Sequence, residues 1–228
     1  MRAVVQRVKG ATVHVDGKLV SKIGPGIVAL IGISTEDTMD AIVPLANKIL
    51  NTKLWNDNQT APQITVPPQY LSDTASSSPD QIQAQDGKDG NGDSLLPLSN
   101  SEASSSVSAP EAQVEEEAGK VTGDRAHQVW GGKPWKRSVV ELGGEVLCVS
   151  QFTLFARTVK GTKPDFHRAM SGDPARVIYD AFLTRLAQSY RPDRIKDGAF
   201  GQMMDVSLTN DGMSFPPVTI LLDTTEKK

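Results

Sequence analysis

Val146-Leu147-Cys148-Val149-Ser150-Gln151-Phe152-Thr153-Leu154-Phe155 is an apolar, β-rich run that finishes in two hydroxyls and an amide. The apolar half reads as a buried strand. Unpaired polar groups inside a core cost roughly 1–3 kcal/mol each. Ser150, Gln151 and Thr153 therefore either bond neighbouring backbone or shape a site. On a regular strand, positions 150 and 153 face opposite ways, so they converge only if the strand bends or ends between them.

Other strands surround this one. Residues 3–8 and 11–15 alternate in the β manner and predict two short strands paired through a Lys9-Gly10 turn. Residues 19–23 and 27–33 flank Gly24-Pro25-Gly26, where proline sets φ and glycine allows positive φ. Residues 139–142 and 145–155 predict another hairpin about Gly143-Gly144, and residues 204–209 and 218–222 a final strand pair.

Two helices stand among them. Asp37 or Thr38 caps the first, which runs to about Leu54 with Ile42, Leu45, Ile49 and Leu50 on one face. Pro44 either kinks it or delays its start. Asp173-Pro174 starts the second, which continues to about Tyr190. Two helices among many strands, mostly in hairpins, predict an α+β fold.

Composition divides the chain. Residues 58–126 carry 11 acidic and 3 basic residues, net −8, while the remaining 159 carry 16 acidic and 21 basic, net +5. The middle segment is rich in Ser, Asp, Gln, Gly and Pro and nearly free of aromatics, so it has little apolar area to offset ordering entropy. It reads as a disordered acidic insertion hanging between two elements whose ends lie close. The folded domain is then residues 1–57 and 127–228. The run Asp86-Gly87-Lys88-Asp89-Gly90 breaks the ligand spacing of a calcium loop and has no closing Glu, so no metal site is expected.

Cys148 is the only cysteine, which excludes an intramolecular disulfide and any Cys-rich metal centre. No apolar run reaches the roughly 18–20 residues of a membrane span. Arg2 and Arg7 interrupt the opening strand, unlike a signal peptide. The expected compartment is reducing, most simply the cytoplasm.

The polar end of the 146–155 run has no His or acid near it in sequence. His14, His127 and His167 lie in surface-like contexts, so a Ser-His-Asp triad has little support. Hydroxyls and amide donors without a strong base suit an activated ester, whose cleavage passes through a tetrahedral oxyanion. One aligned donor there is typically worth roughly 2.7–4 kcal/mol.

Seven ordered segments together resemble one family, the D-aminoacyl-tRNA deacylases. They begin with Met1-Arg2-Ala3-Val4-Val5-Gln6-Arg7-Val8, then Ile23-Gly24-Pro25-Gly26 with the apolar strand after it, and Lys48-Ile49-Leu50-Asn51. The Ser150-Gln151-Phe152-Thr153-Leu154 run follows, with Lys160-Gly161-Thr162-Lys163-Pro164-Asp165-Phe166 close behind. Phe200-Gly201 with Met204 and Val206, and Asn210-Asp211-Gly212 with Pro217-Val218-Thr219, complete the set. The likeness covers about residues 1–57 and 127–228. It implies curled, barrel-like antiparallel sheets with two main outer helices, assembled as a homodimer. It also implies hydrolysis of D-aminoacyl-tRNA to free D-amino acid and tRNA, with no cofactor.

On that resemblance Thr153 orients or polarises the ester carbonyl, with Ser150, Gln151 and the backbone N–H groups of Phe152 and Thr153 around it. A covalent Thr153 intermediate is the variant of this scheme. Phe200, Gly201 and Met204 meet the 3′-terminal adenosine, and Gly161 and Pro164 shape a loop over the site. Lys160, Lys163 and Arg168 face tRNA phosphates or form a solvated basic face. The family's Gly-Pro pair enters the partner subunit's pocket and obstructs an L-side chain, which is selection by exclusion. Here Met213, Ser214, Phe215 and Pro216 separate Gly212 from Pro217. Pro217, Gly212 and Pro216 are the candidate gate, and Phe215-Pro216 and Pro216-Pro217 are candidate cis bonds. Two rivals stand beside the esterase: a non-catalytic tRNA or nucleic-acid binding module, and a related deacylase with relaxed chirality.

Overall fold

The computed structural model describes residues 1–71, 132–159, 161–212 and 217–226. Its frame is one long strand. β1 (Arg2–Val15) runs without a break, and a register shift between Val8 and Gly10 replaces the expected Lys9-Gly10 turn. Such a bulge bends a strand without ending it. One edge of β1 takes β3 (Gly26–Gly32) along its first half and β2 (Lys18–Ile23) along its second. The other edge takes β7 (Thr219–Asp223) and β6 (Asp205–Asn210) in the same way. The last two strands therefore both pair with β1 rather than with each other.

The sheet continues from β3 to β4 (Glu145–Ser150) and β5 (Ile195–Asp197), and both of these pairings are parallel. The expected all-antiparallel arrangement is thus a mixed one. The reason is local: residues 139–142 form a one-turn helix, α2 (Val139–Leu142), instead of a hairpin strand. The Ser138 hydroxyl accepts from the Glu141 N–H, and the Glu141 carboxylate accepts from the Ser138 N–H at 2.6 Å. This reciprocal cap fixes the turn and lets β4 start in the direction of β3. The sheet path β2-β1-β3-β4-β5 then curls until its ends meet, where the Ser21 hydroxyl of β2 donates to the Asp197 carbonyl of β5. The result is a nearly closed, barrel-like α+β fold.

β4 shows why such a strand reads as continuously apolar. Val146 and Cys148 face the cluster beneath the helices, while Leu147 and Val149 face the inside of the curl with Val8, Val13 and Ile23. Both faces are buried, so alternation disappears. α1 (Ile42–Asn51) buries Ile42, Leu45, Ala46, Ile49 and Leu50, the spacing of one helical face. A short 3-10 turn, Met39–Ala41, precedes it. Pro44 falls in the first turn of α1, where its missing N–H has no acceptor to satisfy, so it delays the helix. The helix ends at Asn51, short of Leu54. α3 (Gly172–Ser189) buries Ala175, Ile178, Tyr179, Phe182 and Leu186.

The packed domain does not stop at residue 57. Two further 3-10 turns, Ala61–Gln63 and Pro68–Tyr70, follow, and Gln59, Ile64 and Tyr70 are buried. The Tyr70 ring covers Gly10, where an added Cβ would lie 2.6 Å from ring carbons. Composition hid this stretch because a single aromatic anchors it. On its return the chain lies against residues 55–57: Asp57 and Lys133 exchange backbone and side-chain bonds, and Trp55 bridges Arg137. The rest of the acidic segment lies outside the described residues.

β7 ends on a titratable contact. Arg2 donates to Asp223 at 2.7 Å, and the Thr225 N–H and hydroxyl donate at 2.8 and 2.7 Å. Burial alone raises the Asp223 carboxyl, but these donors outweigh it and bring it to about 2. A folded pKa below the unfolded one contributes stability above the unfolded value, roughly 3.9, and loses it as pH falls. Asp223→Asn should therefore flatten the fall in melting temperature between about pH 4 and about pH 2. An unchanged slope would contradict this.

Candidate active site

β4 ends at Ser150, and the chain turns at once. Gln151 donates its N–H to the Ile31 carbonyl at 2.7 Å, and a 3-10 turn, Phe152–Phe155, begins after it. The strand thus ends between Ser150 and Thr153, as their convergence requires. Gly32 permits the turn. A Cβ there would lie 2.9 Å from Leu154 Cβ and 3.3 Å from the Gln151 carbonyl. Arg2 holds the far end, donating to the Leu154 carbonyl at 3.2 Å with its guanidinium 4.7 Å over the Phe155 ring.

A cleft of about 490 Å³ opens at this point. The ends of β3 and β4 with Ser150, Gln151 and Phe152 line one part of it, and Phe200, Gly201, Gln202, Met203 and Met204 line another. Met170, Ser171, Gly172 and Ala175, at the start of α3, close one end. Thr153 stands one residue beyond the lining, where its hydroxyl accepts a bond from the Gln151 amide. Its own proton is then free to donate elsewhere. The N–H groups of Phe152 and Thr153 open the 3-10 turn, where no intrahelical acceptor exists for them.

The histidines, which the sequence offered little reason to place here, lie elsewhere where they are described. His167 pairs with Asp165 on an exposed hairpin loop, and His14 sits on β1 opposite Asp205 and Leu19. His127 is outside the described residues. Among the described residues, no hydrogen bond or ion pair joins a histidine to Ser150 or Thr153.

Other expected residues fall into two groups. Phe200, Gly201 and Met204 line the cleft. Gly161 and Pro164 are exposed at the tip of a loop closed by the Arg157–Asp165 bridge, with Lys163 beside them, and do not line it. Phe166 packs edge-on to Phe152 at 5.1 Å, which ties that loop to the cleft rim. Arg168 pairs with Glu36 at 3.7 Å. Gly212 and Pro217 are exposed and away from the lining, while Lys160, Pro216 and the Phe215–Pro216 and Pro216–Pro217 bonds lie outside the described residues. Met170, Ser171, Gly172 and Gln202 also line the cleft and were not among the residues expected from sequence.

Both ends of the 211–218 connection are tied to one buried side chain and its backbone. Arg7 exchanges backbone bonds with Asp211 and Val218 at 3.0 Å each. Its guanidinium donates to the Asp211 carbonyl at 2.9 and 3.2 Å and to the Leu54 carbonyl at 2.7 Å.

The same segments are matched by a known family. The model for D-Tyr-tRNA(Tyr) deacylase matches residues 4–67 and 105–223. The chain belongs to the D-Tyr-tRNA(Tyr) deacylase family. The match pauses only over residues 68–104, a shorter gap than the acidic segment that composition sets apart. A D-aminoacyl-tRNA deacylase of Yarrowia lipolytica is 37% identical over 229 residues, covering 100% of both chains. A solved structure titled c-Myc DNA Unwinding Element Binding Protein has TM-score 0.62 and 34% identity, over 98% of each chain. A second, titled as a probable eukaryotic D-amino acid tRNA deacylase, has TM-score 0.55 at 15% identity over 97% of each, and shows the shared deacylase fold.

Proposed function

We propose that this deacylase hydrolyses the ester of D-aminoacyl-tRNA, releasing D-amino acid and tRNA, as chirality proofreading for translation. The observation that carries the reading is that two segments far apart in sequence meet on one cleft. One brings Ser150, Gln151 and Phe152 with the donors at the start of the 152–155 turn. The other brings the apolar wall from Phe200 to Met204. The first suits an oxyanion; the second suits the flat, apolar face of the 3′-terminal adenosine.

In the proposed mechanism the ester carbonyl lies against the N–H groups of Phe152 and Thr153. Thr153 donates its hydroxyl proton while its oxygen accepts from Gln151, and this arrangement favours an orienting role over attack by Thr153. Developing negative charge is stabilised by fixed donors rather than by a general base. No cofactor or metal enters the scheme.

Selection by chirality would rest on Gly212, Pro216 and Pro217 reaching into a second copy in a homodimer. Gly212 and Pro217 are exposed and do not line their own cleft, which supports a partner's pocket as the target. The reading places the enzyme in the cytoplasm; among the described residues no helix is long and apolar enough to cross a membrane.

A second reading, nucleic-acid binding without turnover, has the likeness to the DNA unwinding element binding protein behind it. One assay separates the readings. Matched D-aminoacyl-, L-aminoacyl- and glycyl-tRNA are incubated with the protein and ester loss is followed. Turnover of the D-form alone supports the proposal, binding without turnover supports the second reading, and mixed turnover means relaxed chirality.

Gly32 gives an independent check on the geometry. Gly32→Ala should push the 152–155 turn off its position and lower turnover by about 10- to 100-fold with far-UV circular dichroism unchanged, since misplacement near 1 Å is that costly. Wild-type turnover in this variant would show that the turn tolerates displacement.

A further inference from the structure

A half-buried carboxylate and a buried phenol lie beside the cleft and take no part in the mechanism above. Tyr179, on α3, is 1% exposed, and its hydroxyl donates to Asp197 at 2.6 Å. Burial raises the pKa of both groups; the Asp197 charge raises the Tyr179 phenol further, whereas the hydrogen bond from Tyr179 partly offsets the rise at Asp197. Keeping a carboxylate in such a place costs stability that a purely apolar contact would not.

The pair's geometry points to what it holds. Asp197 ends β5, three residues before Phe200, and its backbone is fixed by Ser21 on one side. Gly198 donates to the Cys148 carbonyl at 2.8 Å, and Ala199 donates to the Met204 sulfur at 3.1 Å. The Tyr179 ring lies 5.2 Å from the Phe200 ring at 42°, and the Arg176 guanidinium lies 5.4 Å over the Phe200 ring. The single hydroxyl proton of Tyr179 is committed to Asp197, so the phenol ring has one orientation. Phe200 thus contacts a hydrogen-bonded ring and a cation, both supplied by α3.

We infer that the Tyr179–Asp197 pair is a positioning device that sets the Phe200 wall for the nucleotide side of the substrate. This rests on the reading of that wall as the 3′-adenosine contact. The pair then governs how tightly the tRNA end is held, and leaves the ester-cleaving step at the other wall unchanged.

Single-turnover deacylation with the full chain in excess over D-aminoacyl-tRNA tests it, since it yields a half-saturating concentration and a limiting rate. Tyr179→Phe, which removes only the hydroxyl, should raise the half-saturating concentration about five- to tenfold, the range of one lost hydrogen bond. The limiting rate should stay within about twofold. Asp197→Ala should move the same quantity in the same direction, and Asp197→Asn, which keeps a carbonyl acceptor, should stay within about twofold of wild type. Unchanged half-saturation in Tyr179→Phe and Asp197→Ala, or a fall in limiting rate alone, overturns the inference. So does failure of both to fold while Asp197→Asn stays at wild type, which would assign the pair to stability. Absence of turnover in wild type sinks the functional reading itself and is distinct from these outcomes.

Discussion

Thr153→Ala should lower the limiting rate of D-aminoacyl-tRNA hydrolysis by about 100-fold with little change in half-saturation, because one preorganised donor to an oxyanion is worth roughly 2.7–4 kcal/mol. Loss should not be complete, since the N–H groups of Phe152 and Thr153 remain. Thr153→Ser keeps the hydroxyl and should recover most of the rate. Gln151→Ala frees the Thr153 hydroxyl from its bond with the Gln151 amide, and should give a smaller loss. Full activity in Thr153→Ala would remove the side chain from the mechanism and leave the backbone donors alone.

Arg7→Met should destabilise the fold by about 3–5 kcal/mol, the range for removing one partner of a buried pair. Arg7 is 1% exposed and its Nε lies 3.4 Å from the Asp211 carboxylate. Burial lowers the guanidinium pKa, and Asp211 opposes that shift. Removing Arg7 strands a buried carboxylate whose Oδ2, the oxygen that faces Arg7, makes no hydrogen bond of its own. Arg7→Met with Asp211→Asn should recover part of the loss, because the stranded charge goes with its partner. Urea unfolding checks both. An additive double variant would show that the pair is not coupled. The 211–218 connection hangs from Arg7 at both ends, so Arg7→Met should also raise turnover of L-aminoacyl-tRNA relative to the D-form, if the gate is carried there.

Much of the site was legible in residues 146–155, because a buried strand that finishes in Ser, Gln and Thr demands an explanation. The strand ends at Ser150, so the opposite facing of positions 150 and 153 on a regular strand no longer applies. Periodicity also placed the buried face of α1. Other features were less legible for physical reasons. Ser138-Val139-Val140-Glu141 carries a capping-box spacing, but its two valines pulled the reading toward strand, and the parallel β3–β4 pairing was lost with it. Lys9-Gly10 reads as a turn because glycine ends strands as well as bulging them; only the Tyr70 ring above Gly10 separates the two. The lining from Met170 to Ala175 depends on where α3 begins in space, which no local pattern encodes. The same is true of Tyr179 and Asp197, which meet only because β5 and α3 pack together.

The most direct test of the central claim is single-turnover hydrolysis of D-tyrosyl-tRNA by the full chain, with both products identified. The account predicts release of free D-tyrosine at a rate far above buffer, at least about 100-fold faster than release from L-tyrosyl-tRNA, and a tRNA whose 3′ end can be charged again. Release no faster than buffer, equal release from the two substrates, or a tRNA that can no longer be charged would contradict it.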